Sequence, residues 1–103
     1  MQTTHELITQ EECCTQYNIE VTFIQALNEY GLIEMITIEE KPFIPVSQLH
    51  ELEKFIRLHY DLNINMEGID VIANLLAKVK NLQTEIGYLK TRLQVYGSAD
   101  HSI

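Results

Sequence analysis

The first forty residues contain no lysine and no arginine. They hold eight carboxylates instead: Glu6, Glu11, Glu12, Glu20, Glu29, Glu34, Glu39 and Glu40. Residues 41–103 carry seven charges of each sign, so the whole formal charge of -8 belongs to one end of the chain. Non-specific affinity for nucleic acid comes mainly from neutralised phosphates, and this balance therefore excludes a generic nucleic-acid binder. Long apolar runs are also missing. No stretch approaches the roughly 18 unbroken apolar residues of a membrane span, and the start "MQTTHELITQ" has neither the basic nor the apolar region of a secretory leader. A soluble, cytoplasmic protein with no membrane partner is expected.

Other absences remove enzyme classes. The only cysteines, Cys13 and Cys14, are adjacent. Their Cα atoms are about 3.8 Å apart, below the usual disulfide range, and they read as small buried apolar residues. A zinc site would need two more ligands, and only His5 is near in sequence, so neither a metal nor another cofactor is expected. The four glycines are scattered singly, which leaves no phosphate-cradling loop. His50 and His59 face different ways on a helix with no nucleophile arranged beside them. Glu39 and Glu40 lie on an exposed turn, which is no setting for a catalytic pair of carboxylates. The chain is not expected to be an enzyme.

What is present is a clear order of elements. In "ITQEECC", Thr9 and Glu12 form a capping box, and Ile8 is placed to staple onto Cys13. A helix is predicted over residues 10–17, burying Cys13, Cys14 and Tyr17. After the turn "NIE", a second helix carries Val21, Ile24, Leu27 and Tyr30 at helical spacing, and Gly31 ends it in the left-handed region. Met35 to Ile38 favour a strand, Glu39-Glu40-Lys41 a polar turn, and "PFIPV" a return strand whose prolines suit an edge. Two helices and a hairpin make a winged helix-turn-helix. Ser47 is the expected cap of a third helix with Leu49, Leu52, Phe55, Ile56 and Leu62 inward. Tyr30, Tyr60 and Phe43 read as core or core-edge residues, with anchoring of an interface as the alternative.

From Asn65, the expected N-cap, the sequence runs without a breaker to about Tyr96. A strict heptad fits it: Ile72, Val79, Ile86 and Leu93 occupy one core position, and Leu75, Leu82, Leu89 and Tyr96 the other. Such a rod needs a second chain to cover its stripe, so a homodimer is expected. Charge does not choose its orientation, because exposed ion pairs are worth only about 0–1 kcal/mol. Gly87 falls on the outer face. The expected organisation is a winged helix-turn-helix head with its third helix over residues 1–64, a coiled-coil-forming helix over 65–97 and a frayed tail over 98–103. The fold class is mainly α.

This order of parts resembles the MerR-type winged-helix family over almost the whole chain. Within it, "LIT" before the helix with Cys13-Cys14, "GLIE" at 31–34, "IRLHYDLNINMEGIDVIANLLAKVKNL" and "IGYLKTRL" look most like the CbpM family of small chaperone modulators. The resemblance implies that the chain binds the J-domain of a DnaJ-like, CbpA-type co-chaperone and inhibits its cooperation with Hsp70. DNA-binding relatives usually bear arginines and a tyrosine pair early in the second helix, where this chain has Thr22, Gln25, Ala26 and Leu27. Their wings are basic, whereas this one has Glu39, Glu40 and only Lys41. DNA is therefore not expected as a partner for the chain alone, although a DNA-binding regulator or another protein-binding adaptor is the alternative. An acidic head instead complements a basic protein surface such as a J-domain exposes, and Glu11, Glu12, Glu20, Glu29, Glu39 and Glu40 are the expected contacts.

Overall fold

Thr9 starts the first helix as its sequence predicts. In a computed structural model, which describes residues 6–97, the Thr9 hydroxyl accepts the Glu12 N–H at 3.0 Å, and the Glu12 carboxylate accepts the Thr9 N–H at 3.1 Å. The elements in chain order are β1 (Leu7–Thr9), α1 (Gln10–Tyr17), α2 (Val21–Glu29), β2 (Ile36–Ile38), β3 (Lys41–Pro45), α3 (Leu49–Ile56) and α4 (Met66–Gly97). The molecule is mainly helical with a small antiparallel sheet, and its head is a winged helix-turn-helix. It divides into two compact units, one through Asp70 and one from Val71 onward. The tail over 98–103 lies outside the described residues.

Both helices of the helix-turn-helix stop by the same device. Asn18 adopts a left-handed φ of 57°, and the Ile19 N–H donates back to Cys14 O at 3.0 Å. Gly31, at φ 75°, follows α2, with the Gly31 N–H on Asn28 O at 3.0 Å and the Leu32 N–H on Leu27 O at 2.9 Å. These pairs satisfy the last carbonyls of each helix, and glycine takes the left-handed position without a Cβ clash. Cys13, Ile19, Phe23, Ile24, Leu27 and Ile33 are buried with Ile44, Leu52, Phe55 and Ile69. Cys14 and Tyr17, expected inside, are only half-buried. The buried face of α2 is Phe23-Ile24-Leu27, and Val21 and Tyr30 are exposed. Phe23 is drawn in because its ring stacks on His59, with centroids 4.8 Å apart and planes 19° apart.

The wing has a third strand that the sequence did not suggest. β1 pairs with β3, and β3 with β2, both antiparallel, so β3 is central. That corrects the assignment of "PFIPV" to an edge, yet the physical reason for that assignment survives locally. The Val46 N–H donates to Glu6 O at 3.0 Å, on the β1 side. Alternation along the strand aims the nitrogen of Pro42 to that side too, beyond the end of β1, and that of Pro45 to the other side, where β2 has not begun. Neither missing N–H breaks a ladder bond.

The third helix departs from its sequence reading at both ends. Ser47 lies within a 3₁₀ turn, Val46–Gln48, and does not cap the helix. Gln48 occupies the cap position, and its side chain clamps the backbone of Glu34, accepting that N–H at 2.8 Å and donating to the carbonyl at 3.0 Å. After Ile56 the chain widens into a π-helical turn, Arg57–Asp61, with the Leu62 N–H on Arg57 O at 3.1 Å. The extra residue in that turn rotates the residues after it off the 3.6-residue face. Leu62, expected inside, is 63% exposed. Leu52 and Phe55 are buried, and Leu49 and Ile56 half-buried.

Asn65 caps α4 as expected, its Oδ1 accepting the Gly68 N–H at 2.8 Å. Ile69 is fully buried in the head unit. A Cβ on Gly68 would sit 2.6 Å from Ile64 Cγ2, so any larger residue here would force Ile64 to shift. The helix has 32 residues, about 48 Å at ~1.5 Å per residue. Along the second unit Leu75, Val79, Leu82, Ile86, Leu89, Leu93 and Tyr96 are all exposed, and Ile72 is half-buried. A Cβ on Gly87 would meet nothing within 4 Å. No helix among the described residues is long and apolar enough to cross a membrane.

Candidate functional site

The acidic side chains fall into separate groups. Glu11 and Glu12 occupy the first turn of α1, where carboxylates complement the helix dipole. Glu12 is already committed to the capping box. Glu11 lines an open recess of about 230 Å³ with Thr9, Gln10, Lys41 and Pro42, so α1 and the base of the wing share one surface. A second recess, about 450 Å³, runs on from Glu11 along Glu12, Thr15 and Gln16. Glu39 and Glu40 form the wing tip, between the paired residues Ile38 and Lys41. Their φ values are 52° and 68°. Positive φ at both central residues of a two-residue hairpin loop is the requirement of a type I′ turn, normally met by Asn-Gly.

Glu20 precedes α2 and caps it without a side-chain bond to the helix backbone. Its own N–H donates to the Tyr60 hydroxyl at 3.1 Å, and its carboxylate accepts the Thr22 hydroxyl at 3.5 Å. Tyr60 sits on the π turn, packed edge-on against Phe23 (5.3 Å) and His59 (4.9 Å). His59 Nδ1–H donates to Ile64 O at 2.9 Å. The π turn thus aims one aromatic at α2 and another at the entry to it. Tyr60 is at the surface, Phe43 half-buried, and both Tyr60 and Tyr30 spend their hydroxyls on intramolecular bonds.

Glu29 lies at the far end of α2, away from the α1 and wing-tip group in sequence and element. Its charged neighbours there were not singled out from the sequence. The Tyr30 hydroxyl donates to Glu67 Oε2 at 3.2 Å. Partial removal from water, then that bond, then the charges of Glu67, Asp70 and Glu29 raise the Tyr30 pKa. Glu67, in the first turn of α4, carries the one available sequence signal, an acid at a helix start. The arrangement therefore joins Glu11 and Lys41, and leaves Glu29 in a second acidic group with Glu67 and Asp70.

Among the described residues, the two thiols are shifted away from the thiolate. Burial, then the neighbouring Cys14, pushes the Cys13 thiol up to about 11, and burial raises Cys14 as well. Tyr17 is pushed up to about 12 by burial first, then by its 2.8 Å bond to Glu53. Among the described residues no group of three or more His, Cys, Asp or Glu is placed to hold a metal ion.

Residues 8–91 match the family model described as MerR HTH family regulatory protein. The chain belongs to the MerR helix-turn-helix family. No curated protein matches it. In this MerR head, α2 stands in the recognition position of the motif. Of the four α2 positions noted in the sequence, Thr22 and Gln25 are exposed, Ala26 is half-buried and Leu27 is fully buried. Leu27 is thus core and not contact surface. The MerR helix-turn-helix and its wing turn present Glu11, Glu20, Glu29, Glu39 and Glu40 to solvent, with Lys41 as the first lysine or arginine of the chain.

Proposed function

We propose that this MerR-type head is a protein-binding module, and that the chain is a non-enzymatic chaperone modulator of the CbpM kind. It acts in the cytoplasm, covering the basic face of the J-domain of a DnaJ-like co-chaperone and so inhibiting that co-chaperone's cooperation with Hsp70. The observation that carries this reading is the run of forty residues with eight carboxylates and neither lysine nor arginine, on the part of the fold that docks partners in helix-turn-helix proteins. Such a surface repels a polyanion, whereas it steers and selects a basic protein. The sequence resemblance to chaperone modulators supports the choice of partner. The exposed heptad face of α4 supports a homodimer, in which Ile72 to Tyr96 of two chains cover each other.

Family membership favours a second reading, a DNA-bound transcription regulator. One experiment separates the two. Calorimetric titration against an isolated J-domain and against duplex DNA, each at low and high salt, should show tight J-domain binding that weakens with salt, and no DNA binding. Absence of J-domain binding at both salts refutes the modulator reading. Salt-sensitive binding to the duplex would establish the regulator.

A further inference from the structure

The outer face of the wing sheet is mostly apolar where a solvent face is ordinarily polar. Paired residues of an antiparallel sheet point to the same side, so the register sorts the side chains. Ile8 and Ile44 face inward, and Ile44 is fully buried. Thr9 and Lys41 face the other way, together with five apolar residues, Leu7, Phe43, Pro45, Ile36 and Ile38. Ile36 is 41% and Ile38 43% exposed, and the other three apolar residues are only half-buried. β1 and β2 are the two edges of this three-stranded sheet, and the exposed Ile36 and Ile38 lie on β2.

The rim of the patch carries one sign of charge. Glu6 adjoins Leu7, Glu34 leads into β2, Glu39 and Glu40 form the tip, and Glu11 borders the recess at Lys41. Lys41 is the only base among them. A second copy of the chain would bring carboxylates against carboxylates, which charge opposes. The three strands, at about 4.8 Å spacing, form a platform about 10 Å wide, which is the width of one α-helix. We infer that the outer face of the β1-β3-β2 sheet is a docking platform for a basic amphipathic helix of a partner protein. The apolar stripe of that helix lies over Ile36, Ile38 and Phe43, and its lysines and arginines reach the carboxylates of the rim. This inference rests on the modulator reading, for which it names the surface that receives the J-domain's basic helix.

The test replaces Ile36→Thr and Ile38→Thr together. Threonine keeps the β-branch that suits the strand, and both sites are exposed, so the fold should persist. Calorimetry against the J-domain should show affinity falling about tenfold or more, as expected for loss of an interface anchor. Gln25→Ala, on the exposed face of α2, should leave it unchanged. Wild-type binding that the double variant retains in full overturns the docking platform alone, as does a loss caused only by Gln25→Ala. Failure of the wild type to bind overturns the platform and the modulator reading together. Amide shifts of the wild-type protein during the same titration keep the test independent of the variant's folding. Shifts over residues 36–45 support the platform, and shifts confined to α2 overturn it.

Discussion

The wing tip offers a test in which stability and binding should move in opposite directions. Glu39 and Glu40 both hold left-handed backbone, at φ 52° and 68°. That conformation costs a residue with a Cβ roughly 1–2 kcal/mol. Two such residues in succession therefore store up to roughly 2–4 kcal/mol. Asparagine tolerates the first position and glycine the second, which is why type I′ turns select Asn-Gly. Glycine takes back roughly 0.5–1 kcal/mol through its freedom in the unfolded chain. The double variant Glu39→Asn, Glu40→Gly should accordingly gain about 1–2 kcal/mol. For a domain of 60–100 residues each kcal/mol moves Tm by about 4–8 °C. Thermal unfolding followed by circular dichroism, at one fixed protein concentration so that self-association does not move Tm, measures the gain. The same variant lacks two carboxylates of the proposed rim, so its affinity for a J-domain should fall while its Tm rises. A Tm that stays level or drops refutes the strain. A rise in Tm with unchanged affinity leaves the strain standing and removes Glu39 and Glu40 from the contact surface.

Three further outcomes are expected. Gly68→Ala should lower stability by about 1 kcal/mol in a denaturant melt, because crowding Ile64 Cγ2 at 2.6 Å outweighs the ~1 kcal/mol that alanine gains as a helix former. Stability should be full below pH 9 and fall between pH 9 and 12, since Cys13 and Tyr17 ionise at about 11 and about 12 in the fold against 9.0 and 10.0 ordinarily. Their raised values favour the neutral forms in the native state, and Tyr17→Phe should remove the part of the loss between pH 10 and 12 in denaturant titrations at each pH. Leu82→Glu with Leu89→Glu should convert a sedimenting dimer into a monomer, and a monomeric wild type would refute self-association through α4.

Much of the local structure is written in short sequence signals. The Thr9–Glu12 box, the Gly31 stop and the Asn65 cap are interactions within a few residues, so residue type and spacing are enough to place them. The heptad on α4 and the charge asymmetry are likewise properties of order and composition alone.

Tertiary structure decided what depends on distant partners. β1 exists because the open side of β3 takes up three residues some 35 positions earlier, a pairing that no local pattern announces. Ser47 fell within a 3₁₀ turn, and Gln48 at the cap position clamps Glu34, fourteen residues back. The π turn shifted Leu62 outward and set His59 and Tyr60 on Phe23. Folding also split the carboxylates that the sequence presents as one acidic run, placing Glu11 beside the wing and Glu29 with Glu67 and Asp70 around Tyr30. Charge and periodicity are sums over the chain and survive any folding of it. Which charges become neighbours, and which face of a sheet stays bare, depends on contacts between residues far apart in sequence.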